Sequence, residues 1–181
     1  MRKEHLITIE QFRELARPTS AHLDEEEVNA FIEECEDSFV IPAIGYERFK
    51  AAAGQGEWNG SVLPSFKPET FLDGGEYKSL GEDGETEVLR YTAGIRKSLA
   101  YFTYAKLLRS DGVIISRSGG MRHRDEYSDH VDDSKLKQYN DIMGLAESYL
   151  SDSLLYLQAN TKQGDVKKQR GTRVKIHSIG D

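Results

Sequence analysis

The sequence predicts a mainly α-helical protein, a bundle of about four to five helices with a glycine-rich insertion and a β-hairpin-like arm. Three observations carry that expectation. Apolar residues recur at helical spacing in long stretches near residues 24–39, 86–109 and 132–159. Glycine and proline cluster between residues 54 and 86. A β-branched run precedes a Gly-Gly pair near residue 119.

The first helix is short. Thr8 and Gln11 stand in capping-box spacing, Ile9, Phe12 and Leu15 share a face, and Pro18 ends it. The second is set by Asp24 as N-cap and by Glu25, Glu26 and Glu27 at the positive end of the dipole. Val28, Phe31, Ile32, Cys35 and Phe39 form its apolar stripe, and Glu33, Glu34, Glu36 and Asp37 its acidic, solvated face. Val40-Ile41-Pro42 interrupts the pattern, and Pro42 opens a third helix carrying Tyr46, Phe49 and Ala53.

Residues 54–86 read as an inserted arm, packed on the body or ordered by a neighbour. Within it Thr70-Phe71-Leu72 and Tyr77-Lys78-Ser79 flank Asp73-Gly74-Gly75 as a short hairpin. Trp58, the single tryptophan, lies in this arm as an interface anchor or as packing onto the body. A fourth helix runs from about Thr86 to Arg109, apolar over more than half its circumference, as suits the middle of a bundle or an oligomer interface. Residues 112–127 read as two extended segments around Gly119-Gly120, an arm with charged outer positions. The last long helix starts near Asp132 and ends near Ala159, with a stripe through Leu136, Tyr139, Ile142, Met143, Ala146, Tyr149, Leu150, Ser153, Leu154 and Leu157. Residues 1–161 thus form one helical domain, and residues 162–181 a basic tail. The tail's Val174-Lys-Ile176-His-Ser-Ile179 alternation is that of a strand that forms when paired.

Charge divides the chain. The net charge is −7 over 181 residues; residues 162–181 hold six Lys and Arg against two Asp, +4, so residues 1–161 carry −11. An acidic body argues against gripping nucleic acid, whose affinity rests on phosphate contacts, and the tail lacks interleaved aromatics for base stacking. Opposite charges also permit the tail of one copy to meet the body of the next. The single cysteine, Cys35, excludes an intrachain disulfide and reads as a small buried hydrophobe in a reducing compartment. No apolar run approaches a membrane span, and Met1-Arg-Lys-Glu-His is not the start of a signal peptide, so a cytoplasmic location is expected.

Catalytic signatures do not appear: no phosphate-binding P-loop, dinucleotide glycine fingerprint, zinc-protease helix, nucleophile elbow or paired Cys-x-x-Cys. His123, Asp125, Glu126, Asp129, His130, Asp132 and Asp133 are the one metal-like cluster, but Arg122 and Arg124 interleave it and acidic residues before a helix are expected from capping. The expectation is no enzyme, no metal and no cofactor. His5, His22 and His177 are isolated.

Several stretches together resemble the head–tail connector, or adaptor, proteins of tailed bacteriophages and prophages. They are Leu6-Ile-Thr-Ile-Glu-Gln-Phe12, the helix ending Phe39-Val-Ile-Pro-Ala-Ile-Gly45, and the turn Leu72-Asp-Gly-Gly-Glu-Tyr77. After them come the aromatic helix Gly94-Ile-Arg-Lys-Ser-Leu-Ala-Tyr-Phe-Thr-Tyr-Ala-Lys106 and the passage from Gly112-Val through Glu126-Tyr-Ser128 to Ala146-Glu-Ser-Tyr149. The resemblance spans roughly residues 6–160. It implies a helical structural protein of the virion that forms an oligomeric ring at the portal, through which DNA passes as cargo. Its partners would be copies of itself and neighbouring portal and tail proteins, in the bacterial host or within the particle. On this reading Arg117, Arg122, Arg124, Lys168 and Arg173 are the candidate contacts to subunits or partners. The alternative is a non-phage helical module that binds protein or nucleic acid through its basic C-terminal tail.

Overall fold

The computed structural model describes residues 4–17, 24–58, 62–81, 86–110, 113–116, 119–122 and 131–161. The chain opens with Leu6 and Ile7, both buried, followed by helix α1, Ile9–Leu15. Thr8 and Gln11 close the expected capping box: Thr8 Oγ1 accepts from the Gln11 amide and Gln11 Oε1 accepts from the Thr8 amide. Helix α2, Glu25–Cys35, begins where Asp24 accepts from the Glu26 amide at 2.9 Å. It buries Val28, Ile32 and Cys35.

The regular period is interrupted ahead of Val40-Ile41-Pro42 as expected, but the helix does not stop. A π-helical turn, Glu36–Val40, leads straight into α3, Ile41–Ile44, with Pro42 in its first turn. Proline has no N–H to give, and its ring crowds the carbonyl four residues back. The helix meets this by widening just before the proline, where the Ile41 amide reaches back to the Glu36 carbonyl, rather than by stopping. The real break is Gly45, at φ 85°, and α4, Tyr46–Ala52, starts beyond it.

Helix α5, Pro68–Asp73, lies where the first arm of a hairpin was expected. Asp73-Gly74-Gly75 is therefore a helix C-terminus and not a strand turn: Gly74, at φ 94° and ψ 168°, supplies the backbone conformation open essentially to glycine that ends α5. Strand β1, Gly75–Leu80, follows at once and pairs antiparallel with β2, Glu87–Thr92, from Gly75 opposite Thr92 to Leu80 opposite Glu87. The fourth predicted helix is consequently shorter than expected. Its first residues form β2, and α6 occupies Ile95–Ser110. Strands β3, Val113–Ser116, and β4, Gly119–Arg122, pair antiparallel with Ser116 opposite Gly119. Gly119 and Gly120 thus lie within β4 and not between the strands. Helix α7, Val131–Ala159, runs 29 residues, close to its expected span.

The core is built around α6 and α7, with α2 laid across α6. Ile95, Leu99, Ala100, Phe102 and Ala105 of α6 are completely buried, so this helix is central to the body. Ala146 lets the α7 backbone come close, and Ser98 Oγ donates to its carbonyl at 2.8 Å. Phe39 stacks flat on Phe102 at 4.3 Å.

The described part of 54–86 is packed on this body. Phe71 is fully buried, and Trp58 lies 4.6 Å from Phe66 and edge-on to Phe71, so the tryptophan serves the protein's own packing. Val62 bridges Thr161, the Leu63 amide donates to the Asn160 carbonyl, and Tyr156 exchanges hydrogen bonds with the Lys67 backbone. This segment therefore seals the C-terminal end of α7. Among the described residues no helix is long and apolar enough to cross a membrane.

Candidate protein-interaction surface

Strands alternate their side chains between two faces, and the β1–β2 hairpin uses the two faces differently. Gly75, Tyr77, Arg90 and Thr92 turn toward α7. Thr92 is buried, and its Oγ1 lies 3.3 Å from Ser153 Oγ, which itself donates to the Tyr149 carbonyl. The Tyr77 ring stands edge-on to Tyr156 at 4.9 Å. Burial, reinforced by the negative charge of Asp152, raises the Tyr77 phenol above its usual range against the opposing effect of Arg90.

The opposite face carries Glu76, Lys78 and Leu80 beside Tyr91, Leu89 and Glu87. Leu80 is 62% exposed, Leu89 64% and Tyr91 65%, three large apolar side chains on one small sheet. Lys78, opposite Leu89, and Glu87, opposite Leu80, are both largely exposed and pair at 3.0 Å between the two leucines. Among the described residues neither strand pairs with a third, so both edges keep unpaired backbone groups.

The base of the hairpin is held by two glycines. A Cβ on Gly94, at φ 84°, would sit 2.5 Å from the Gly74 nitrogen and the Leu72 carbonyl oxygen. One on Gly74 would sit 2.7 Å from the Thr92 carbonyl oxygen. The end of α5 and the start of α6 therefore touch backbone to backbone, which fixes how the hairpin leaves the body. Arg96 adds a side-chain tie, donating Nε–H to the Leu6 carbonyl and meeting Asp73 at 2.7 Å.

That arginine connects the hairpin base to a second cluster. Glu36, expected on a solvated face, is fully buried. It accepts from the Leu6 amide at 2.6 Å and from His5 Nδ1 at 2.9 Å. Its amide bonds the Ile32 carbonyl at the regular four-residue spacing, so Glu36 stands one turn beyond buried Ile32 on the same face, and its assignment to the solvated face fails. His5 is likewise not isolated. Cys35, the neighbouring residue, is buried as expected, and burial pushes its thiol up to about 12.

Of the five candidate contact residues, Arg122 closes β4 opposite Val113. Arg117, Arg124, Lys168 and Arg173 lie outside the described residues, as do His123 through His130 of the metal-like cluster, His22, and the tail from residue 162. Asp132 and Asp133 fall in the first turn of α7. Among the described residues no group of three or more His, Cys, Asp or Glu is arranged to hold a metal. Leu80, Leu89 and Tyr91 were not singled out from the sequence. The available signal was the β-rich string Val88-Leu-Arg-Tyr-Thr92, cut off by Gly94.

The model of a family of unknown function, DUF6712, matches residues 63–171, more than half of the chain and a stretch that includes the hairpin. No curated protein and no solved structure matches.

Proposed function

The chain belongs to the DUF6712 family, a family of unknown function, and from that premise we propose that it is a structural adaptor of a phage or prophage particle. In this role it resembles the head–tail connectors, forming a ring at the portal through which DNA passes. The observation that carries the reading is the uncovered apolar face of the hairpin, Leu80, Leu89 and Tyr91, held in one orientation by the Gly74 and Gly94 contact. Single exposed apolar residues are ordinary, but three on one face of a two-stranded sheet, interleaved with Glu76, Lys78 and Glu87, give a mixed apolar and polar surface of the kind that protein contacts cover. A ring requires a heterologous interface, in which one surface of a copy meets a different surface of the next. The acidic balance of residues 1–161 suits a conduit, since a repulsive wall does not retain passing phosphates. Arg117, Arg122, Arg124, Lys168 and Arg173 are the proposed contacts to adjacent subunits or partners. The chain needs no catalytic group or cofactor for this work.

The test is the mass of the full chain by light scattering over a wide concentration range, beside a Leu89→Lys/Tyr91→Lys double variant. A discrete, concentration-dependent oligomer that the double variant loses is the expected result. A strict monomer at every concentration defeats the ring reading, and an oligomer indifferent to both substitutions defeats the hairpin as its contact.

The second reading, a binding module for nucleic acid, is favoured by the +4 charge of residues 162–181. It requires DNA affinity that falls steeply with salt and disappears when that segment is removed.

A further inference from the structure

We propose that residues 173–179 of one copy add as a third strand to the free edge of β2 in a second copy. This rests on the ring reading above and names its contact.

Four observations meet here. A two-stranded hairpin is marginal by itself, and this one leaves both edges unpaired among the described residues. β2 is the more exposed strand and carries Leu89 and Tyr91, two of the three uncovered apolar side chains. Arg173 to His177 alternates, with Val174 and Ile176 on one side of an extended chain and Arg173, Lys175 and His177 on the other. Paired along β2, Val174 and Ile176 extend the row formed by Leu89 and Tyr91, and the backbone bonds supply affinity while that row supplies register.

The fourth observation is charge, and it favours a second copy. Bodies of net charge −11 repel one another, and a segment of +4 placed between two of them offsets that repulsion. Reach is sufficient. The last described residue, Thr161, is fixed to Val62 at the end of α7, and 12 residues separate it from Val174. Twelve extended residues span up to about 40 Å, roughly twice the length of a six-residue strand.

The experiment mixes two full-length variants, one with Leu89→Cys and one with Ile176→Cys, under mild oxidation. Each chain has a single new thiol, and the buried, unreactive Cys35 does not compete. The expected product is a mixed disulfide between the two variants. It should form several-fold faster than when Lys175→Cys, on the opposite face of the strand, replaces Ile176→Cys. Equal rates from the two tail positions overturn the strand register and with it the proposal. A chain carrying both Leu89→Cys and Ile176→Cys that closes on itself at a rate independent of concentration overturns it differently, by making the occupant the chain's own tail. An oligomer seen by light scattering without the preferred disulfide sinks this contact and leaves the ring reading in place. A monomer throughout removes both.

Discussion

Glu36 lies in a run of acidic residues read as a solvated face, yet its carboxylate is inside, holding the Leu6 amide and His5. Its residue type hid what its position carried: Glu36 follows buried Ile32 by four residues in regular α-helical register and so shares that face, while composition alone does not separate it from the other carboxylates of Glu33-Glu-Cys-Glu-Asp37. Cys35 was legible, since its apolar character agrees with its place on the stripe. Truncating Glu36→Ala orphans a buried N–H and an imidazole, at a cost of about 3 kcal/mol. The expected outcome is a lower urea midpoint together with faster hydrogen exchange at the Leu6 amide. Unchanged exchange at Leu6 would show that the carboxylate does not hold the N-terminal segment. Cys35 gives a second, pH-dependent signature. Its thiol is raised to about 12 in the folded chain, so above the ordinary thiol pKa near 8.5 the unfolded chain loses a proton that the folded chain keeps. Stability contributed by this residue is therefore intact at neutral pH and falls between about pH 9 and 12. Cys35→Ala should show a shallower loss over that window, measured by denaturant unfolding at each pH. Identical slopes would contradict the raised thiol.

At the scale of elements, the two long apolar periodicities were sound guides and the strands were not. α7 and α2 announced themselves by stripes that the core then used, although Leu136 of the predicted stripe remains 59% exposed. The β1–β2 pairing was hidden because Leu89 and Ala93 continue the helical spacing of α6 backward, and a six-residue strand is too short for its own period to outweigh that. The Asp-Gly-Gly signal was real, but it marked a helix end, a use of glycine with the same local chemistry as a turn. What locks these elements together is the backbone contact between Gly74 and Gly94, and it separates two kinds of glycine. At Gly45, φ is 85° and ψ 150° with nothing within 4 Å of a new Cβ, so Gly45→Ala meets only the strain of a backbone conformation open essentially to glycine, about 1–3 kcal/mol. At Gly94 the same strain is joined by overlap with Gly74 and Leu72 backbone that no side-chain rotation relieves. Gly94→Ala should therefore cost roughly 1–3 kcal/mol more than Gly45→Ala in denaturant unfolding. It should also raise hydrogen exchange across β1 and β2. Equal costs for the two variants would mean that the clasp does not set the hairpin's position.

For the whole molecule, association has two candidate driving forces, and salt separates them. The charge difference between residues 1–161 and the tail was readable by counting, whereas the hairpin face required the fold, because Leu80 and Leu89 come to share one face only through the strand register. Attraction between an acidic body and a basic tail acts across exposed groups and weakens as the screening length contracts from about 10 Å at 0.1 M salt to about 3 Å at 1 M. Burial of Leu80, Leu89 and Tyr91 is not screened, and a strongly excluded salt such as sulfate strengthens it. If both act, chloride should shift the full chain's association toward higher protein concentration without abolishing it, and sulfate at equal ionic strength should shift it back. Replacing Leu89 and Tyr91 by lysine should abolish the association, and sulfate should not restore it. Light scattering of both chains in the two salts reads this directly. A chloride titration that dissolves the assembly completely would assign the contact to charge alone, and would leave the hairpin's apolar face without the role proposed for it.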